Sequence, residues 1–215
     1  MSKSAGKAGV PQVAVPRLAG YLRLLHRLDK QGISRISSRE MADRLEGNAA
    51  QIRKDLSYFG EFGVRGVGYQ VKFLISELSR CLGVDREWSM VILVAGPTGL
   101  ALARHGGFGG EGFDCVGVFD LDGGTVGEQV GGLAVRPIDE AVDVIRDRRA
   151  QIAVLAVPAE SAVEMAMLAV EGGVKGILNF APVRLPAFKG VFVHQLDLST
   201  ELMVISFHLS REPQP

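Results

Sequence analysis

Six residues, Val94-Ala95-Gly96-Pro97-Thr98-Gly99, stand where an apolar run gives way to a helical pattern, and an acid, Asp120, closes the next apolar run. That order matches the turn of a dinucleotide fold, G-x-G-x-x-G followed about twenty residues later by a carboxylate. Gly96 and Gly99 hold its second and third glycine positions, which bring backbone close to a pyrophosphate and let helix and strand pack tightly, while Val94 takes the first. A carboxylate at Asp120 would accept hydrogen bonds from ribose hydroxyls and repel a 2′-phosphate, which selects NAD(H) over NADP(H). The same turn also serves as a plain structural crossover, and the motif alone leaves both readings open.

A second group spans Gln51 to Tyr69. On a helix, Ile52, Leu56 and Phe59 fall on one side, so that Lys54, Ser57 and Tyr58 face the other way, flanked by Gln51 and Arg53. Gly60, Gly63, Gly66 and Gly68 then break every regular period and leave Arg65 at the tip of a short hairpin. A polar helical face followed by such a tip suits a duplex, the helix for the major groove and the arginine for phosphates or a narrow minor groove. The bland alternative is a solvated charged face, since Asp55 sits among the bases.

Catalysis has weaker material. His105, His194 and His208, with Lys175 and Lys189, occupy no recognisable acid–base spacing. Cys81 and Cys115 are far apart, in apolar surroundings, and form neither a metal knuckle nor a redox pair, so they are expected to be core thiols. Neither an enzyme nor a metal site is expected.

The elements that must position these groups follow from period and capping. Leu18, Tyr21, Leu22, Leu25 and Leu28 stripe a helix from Pro16 to about Lys30. Ser37 and Glu40 form a capping box for a short second helix, and Gly47 with Asn48 turns into the third, the basic one, giving a helix-turn-helix with a glycine wing. Val71 to Leu82 reads as a further helix. From Trp88 buried strands alternate with helices: Met90–Ala95, a helix from about Gly99, Val116–Asp120, a helix over 139–148, Ile152–Val157, a helix over 161–171 closed by Gly172-Gly173, and Gly176–Asn179. The last helix, Leu198 to Leu209, is apolar nearly all round and needs burial on several sides, as at a dimer contact.

The expected class is therefore α/β, a winged helix-turn-helix domain ahead of a Rossmann-like parallel sheet. Its boundaries are a flexible tail over residues 1–15, a DNA-binding domain over 16–87, a nucleotide-binding domain over 88–196 and a terminal helix and tail over 197–215. With 215 residues, 47% of them hydrophobic and 22% charged, the chain has the composition of a soluble globular protein. Its net charge of zero hides a division: up to Glu87, 15 Lys and Arg stand against 9 Asp and Glu, and the remainder reverses those numbers. A basic half facing nucleic acid fits that division. No signal-peptide run and no 18-residue apolar span occur, so a cytoplasmic location is expected and a membrane is not.

The stretch Gln51-Ile52-Arg53-Lys54-Asp55-Leu56-Ser57-Tyr58-Phe59-Gly60, with Gly63 and Arg65-Gly66-Val67-Gly68-Tyr69, resembles the Rex redox-sensing transcriptional repressors, and the resemblance continues through Phe119-Asp120, Val157-Pro158 and Lys175-Gly176-Ile177-Leu178-Asn179-Phe180-Ala181-Pro182. It implies a homodimer with exchanged C-terminal helices and a repressor that binds an inverted-repeat operator until NADH releases it. It assigns Gln51, Arg53, Lys54, Ser57, Tyr58 and Arg65 to double-stranded DNA. It assigns the 94–99 turn and Asp120 to the adenosine half of NAD(H), and Val157, Pro158, Asn179, Phe180, Ala181 and Pro182 to the border of the nicotinamide. Arg23 and Asp197 match an inter-subunit ion pair that couples ligand state to the DNA domain. Departures fall in the sensing half: Val94 replaces the first glycine, His105 a common tyrosine, and Leu198 a phenylalanine that the partner lays against the nicotinamide. A second reading keeps the DNA-binding half and has the Rossmann half serve mainly as a dimer scaffold with weakened or altered sensing. A third, an NAD-dependent dehydrogenase, finds no acid–base constellation.

Overall fold

Pro16 suits the first turn of a helix, where its missing N–H has no partner to lose, and the leucine stripe behind it must be covered. In the computed structural model, which describes residues 11–58, 68–104 and 112–211, helix α1 runs Val15–Lys30 and buries Leu18, Tyr21, Leu22, Leu24, Leu25 and Leu28. The chain divides into two compact units, residues 1–86 and 87–215.

In the first unit, β1 (Arg35–Ile36) leads to α2 (Ser38–Arg44), whose capping box is complete: the Glu40 N–H donates to Ser37 Oγ at 3.1 Å and the Ser37 N–H to Glu40 Oε2 at 2.8 Å. Asn48 caps α3 (Ala49–Ser57), its Oδ1 accepting from the N–H groups of Ala50 at 2.7 Å and Gln51 at 3.4 Å. Strand β2 (Tyr69–Gln70) then pairs antiparallel with β1, and α4 (Val71–Leu82) closes the unit over a core that includes Leu25, Met41, Ile52, Leu56, Leu74 and Leu78. Gly68 has φ +80, and a Cβ there would meet the Ile36 carbonyl oxygen at 2.6 Å, so only glycine brings β2 against β1. The wing tip with Arg65 lies outside the described residues, as does Phe59. The expected tail of residues 1–15 is too long: Gln12–Ala14 form a 3-10 turn, Ala14 is buried, and Arg17 Nη1 donates to the Val13 carbonyl at 2.9 Å.

The second unit contains β3 (Trp88–Val94), α5 (Gly96–Arg104), β4 (Phe113–Asp120), β5 (Gln129–Val130), β6 (Leu133–Pro137), α6 (Ala141–Arg148), β7 (Ile152–Ala156), α7 (Ala159–Gly172), β8 (Gly176–Asn179), β9 (Phe192–Gln195) and α8 (Leu198–Leu209). Its sheet has the order β5-β6-β4-β3-β7-β8-β9, all neighbours parallel except the β5–β6 hairpin. Without β5, the order by appearance is 3-2-1-4-5-6, the doubly wound arrangement of dinucleotide folds. The continuous apolar run Met90–Val94 is fully buried, as a central parallel strand requires. Helix α5 starts at Gly96, ahead of the position expected at about Gly99, because the chain turns immediately after β3.

Among the described residues, helix α8 stands uncovered. Leu202, Met203 and Phe207 are 64%, 69% and 50% exposed, and none of its residues is buried. A helix this apolar does not remain in water while another copy is available. Sedimentation equilibrium is therefore expected to give twice the single-chain mass of 23.0 kDa; a 23.0 kDa species at micromolar concentration would contradict this.

Candidate functional site

The sheet order reverses between β3 and β7, and in open α/β sheets ligands bind at the carboxyl ends of the strands beside such a switch point. Register places the residues assigned to the nucleotide along this edge: Val94 pairs with Asp120 on one side and Ala156 on the other, and Asn179 pairs with Leu155 and Gln195. Gly96, with φ +68, turns the backbone into α5, and open space lies where its Cβ would be, so a ligand can approach the main chain there. The Ala95 N–H donates to the Ala156 carbonyl at 3.2 Å and ties the turn to β7. The side chains of Pro97 and Thr98 lie outside the described ones.

Val94 is fully buried and points into the sheet–helix interface. A Cβ on Gly99 would meet Val94 Cβ at 2.5 Å and the Ala156 carbonyl oxygen at 2.9 Å. The valine thus occupies the space that the third glycine leaves free and takes none from the open edge.

Asp120 is 1% exposed. Its Oδ2 accepts from the Thr125 N–H at 2.8 Å and Oγ1 at 2.9 Å, and Oδ1 accepts a longer bond from the Asp122 N–H at 3.3 Å. Burial pushes the carboxyl up, but these bonds together with the Gly96 N–H outweigh it and hold the group below its usual range, ionised at neutral pH. Asn179 is fully buried: its Nδ2 donates to the Val183 carbonyl at 2.9 Å and to Gln195 Oε1 at 2.7 Å, and its Oδ1 accepts from the Ala181 N–H at 3.1 Å. This asparagine shapes the 180–183 loop from behind and spends its polar atoms there. Val157 and Ala181 are also buried, which leaves Pro158, Phe180 and Pro182 as the members of that set with accessible surface. Pro182 shares an open cleft of about 500 Å³ with Arg184, Gln195, Asp197 and Glu201.

On α3, Arg53, Lys54 and Ser57 are exposed, as is Tyr58 at its C-cap. The Arg53 guanidinium donates to Ser38 Oγ at 3.1 Å, and Ser57 Oγ donates to the Lys54 carbonyl at 2.7 Å. Asp55, which sequence reading left among the surface charges, is fully buried. Its Oδ2 accepts from Arg17 Nε at 2.7 Å and the Tyr21 hydroxyl at 2.8 Å; its Oδ1 accepts from Arg17 Nη2 and Gln51 Nε2, both at 2.8 Å. The signal was present: position 55 follows Ile52 by three and lies on the packed face, where an acid requires a partner. Hydrogen bonding from the Arg17 guanidinium holds the Asp55 carboxyl below its usual range, and burial with the bond to Asp55 pushes the Tyr21 phenol up to about 12.

Of the residues assigned to switching, Arg23 is exposed on α1, and Leu198 is 68% exposed at the start of α8. Asp197 caps α8, accepting from the Ser199 N–H and Thr200 Oγ1, both at 2.9 Å, bonds that hold its carboxyl below its usual range. His105 lies outside the described residues. Cys81 and Cys115 are only partly buried, free, and pushed up by burial, a correction to fully internal thiols. No group of three or more metal-ligating side chains forms among the described residues.

Residues 9–57 match the family model described as a putative DNA-binding protein N-terminus, and residues 85–183 the model described as a CoA binding domain. The redox-sensing transcriptional repressor Rex of Carboxydothermus hydrogenoformans is 42% identical over 203 residues, 94% of this chain and 98% of that protein. Crystal structures of RSP align over nearly the whole chain. The complex with NAD+ and operator DNA gives a TM-score of 0.86 at 34% identity, covering 95% of this chain and 94% of that one. The complex with NADH gives 0.82 at 32% identity, covering 94% and 95%.

Two outcomes follow from the site. Asp55, with its depressed folded value, contributes stability that is present above about pH 4 and lost below it, and Tyr21, with its raised value, contributes stability that is lost as pH rises from about 10 to about 12. Urea unfolding monitored in the first unit is expected to weaken at both ends of that window, and Asp55→Asn to flatten the acid limb. Gly99→Ala is expected to cost roughly 1–3 kcal/mol in unfolding and to weaken dinucleotide binding, because backbone at Ala156 blocks the new methyl group; unchanged Tm and titration curves would refute the close packing.

Proposed function

Because the chain belongs to the Rex family of redox-sensing transcriptional repressors, we propose that it is a DNA-binding repressor that senses the NADH/NAD+ ratio, with NADH releasing it from an inverted-repeat operator. The observation that carries this reading is the likeness, over nearly the full length, to a repressor crystallised with NAD+ on operator DNA and with NADH. The residues present fit the nucleotide. Gly96 and the start of α5 would cradle the pyrophosphate, Asp120 at the carboxyl end of β4 would border the ribose, and Pro158 with the 180–182 loop would border the nicotinamide. The dinucleotide supplies a ring whose charge and shape change on reduction; the protein's part is to bind it and to shift between arrangements. This fit favours NAD(H) over the CoA named in the family model.

Lys54, Arg53, Ser57 and Tyr58, with Gln51 and Arg65, would meet the duplex. Two copies joined through α8 would present two such helices, as an inverted repeat requires. Arg23 of one copy and Asp197 of the other are the pair through which nucleotide state would set the DNA domains; Asp197 is ionised at physiological pH and suited to a guanidinium. The site of action is the cytoplasm, where the operator is. The scaffold reading loses its support from Val94, which lies inside the fold, and rests on Leu198: an aliphatic contact lacks ring stacking of about 0.5–1.5 kcal/mol and would narrow the preference for NADH.

Titrating NADH and NAD+ separately into the protein bound to an inverted-repeat duplex tests this. Release is expected at lower NADH than NAD+; a complex indifferent to both leaves the scaffold reading, and a protein that binds no such duplex refutes the repressor.

A further inference from the structure

Asp55 is invisible from the DNA side of α3, yet it holds a side chain that is not. A carboxylate offers about four lone-pair sites, and all four are filled here: two by Arg17, one by Tyr21 and one by Gln51. A carboxylate only accepts, so the Gln51 amide must turn its nitrogen toward Asp55, and the oxygen is set on the other side of the amide plane. Among the described residues no hydrogen bond is made to Gln51 Oε1, no buried side-chain oxygen or nitrogen lacks a partner, and Gln51 is half-buried, which leaves Oε1 free to meet a ligand from the open side. Gln51 stands in the first turn of α3, the end of a recognition helix that reaches base edges.

We propose that Asp55 is a positioning residue for base readout: by anchoring the Gln51 amide nitrogen it makes Gln51 present an acceptor, which selects a base carrying a major-groove donor, the N4 amino group of cytosine or the N6 amino group of adenine. This rests on the reading of α3 as the recognition helix. An unanchored glutamine samples both amide orientations and meets donors and acceptors alike. Anchored through one of its two N–H bonds, it sets its oxygen outward, where it opposes the O6 and N7 of guanine and the O4 of thymine, so those bases are disfavoured by two facing acceptors. Arg17 and Tyr21 act one step further back. They neutralise and fill the carboxylate, and Arg17 extends the chain of bonds to the Val13 carbonyl.

The test measures affinities of the full-length protein for inverted-repeat duplexes in which each base pair of the half-site is replaced in turn. For the wild type, one symmetric position is expected to require cytosine or adenine on the contacted strand by roughly tenfold over guanine or thymine. Gln51→Ala is expected to abolish that preference while the other positions keep their ranking, and Asp55→Asn to relax the same position. In the Gln51→Ala background Asp55→Asn should relax it no further. Should Asp55→Asn fail to fold, side-chain ¹⁵N relaxation of Gln51 in the wild type decides: an order parameter near the rigid value of about 0.85 supports the anchor, and one below about 0.6 overturns it. A Gln51→Ala profile identical to the wild type overturns the inference alone, whereas a wild type that binds no duplex removes the repressor reading with it.

Discussion

A polar group taken out of water must have its hydrogen bonds returned by the protein, and the three most deeply buried polar side chains among the described residues each sit behind a segment assigned to function. Asp55 lies behind the exposed face of α3, Asp120 beside the glycine turn, and Asn179 behind the 180–183 loop. Asp55 and Asn179 are satisfied from distant parts of their own units, by Arg17 and Tyr21 of α1 and by Gln195 of β9, whereas Asp120 is satisfied by Asp122 and Thr125 in the turn that follows its own strand. An unmet bond at such a place costs on the order of 1–3 kcal/mol, and more for a charge. The segments in front inherit that rigidity, so the surface that meets a ligand is shaped by chemistry the ligand never touches.

Features governed by neighbours in sequence were legible from it. Ser37 and Asn48 cap their helices because capping needs only the next three residues, and Val71–Leu82 and Leu198–Leu209 have the bounds that their apolar patterns announce. The doubly wound sheet follows from alternating buried strands and helices. What escaped depends on partners far along the chain. Asp55 looked like a surface acid because Arg17 is 38 positions away, and the bond that ties Asn179 to Gln195, 16 positions on, had no local sign. The β5–β6 hairpin was a missed local signal: Gly131-Gly132, with φ +58 and +87, is the pair a two-residue hairpin turn prefers. The residues that sequence assigned to the nucleotide fall along one edge of the sheet, but sequence could not separate side chains that face that edge from those, such as Val94 and Val157, that face the core.

Val94 shows why a degraded motif need not be a degraded site. The first glycine of the fingerprint allows a tight turn, and here Gly96 supplies the left-handed residue while Gly99 yields the volume. The three positions act as one packing unit, and its outward face is unaltered by the exchange at its inward one.

The bare terminal helix carries a consequence for dosage. If only paired chains present two recognition helices to an inverted repeat, scarce protomers occupy the operator in proportion to the square of their concentration, and abundant ones in simple proportion. A cell that halves its supply of this chain well below the pairing threshold would then lose about three quarters of its repression of an unsaturated operator, before any nucleotide has changed. The apolar surface of Leu202, Met203 and Phe207 would thus set a lower limit on the amount of protein at which redox state can be read at all.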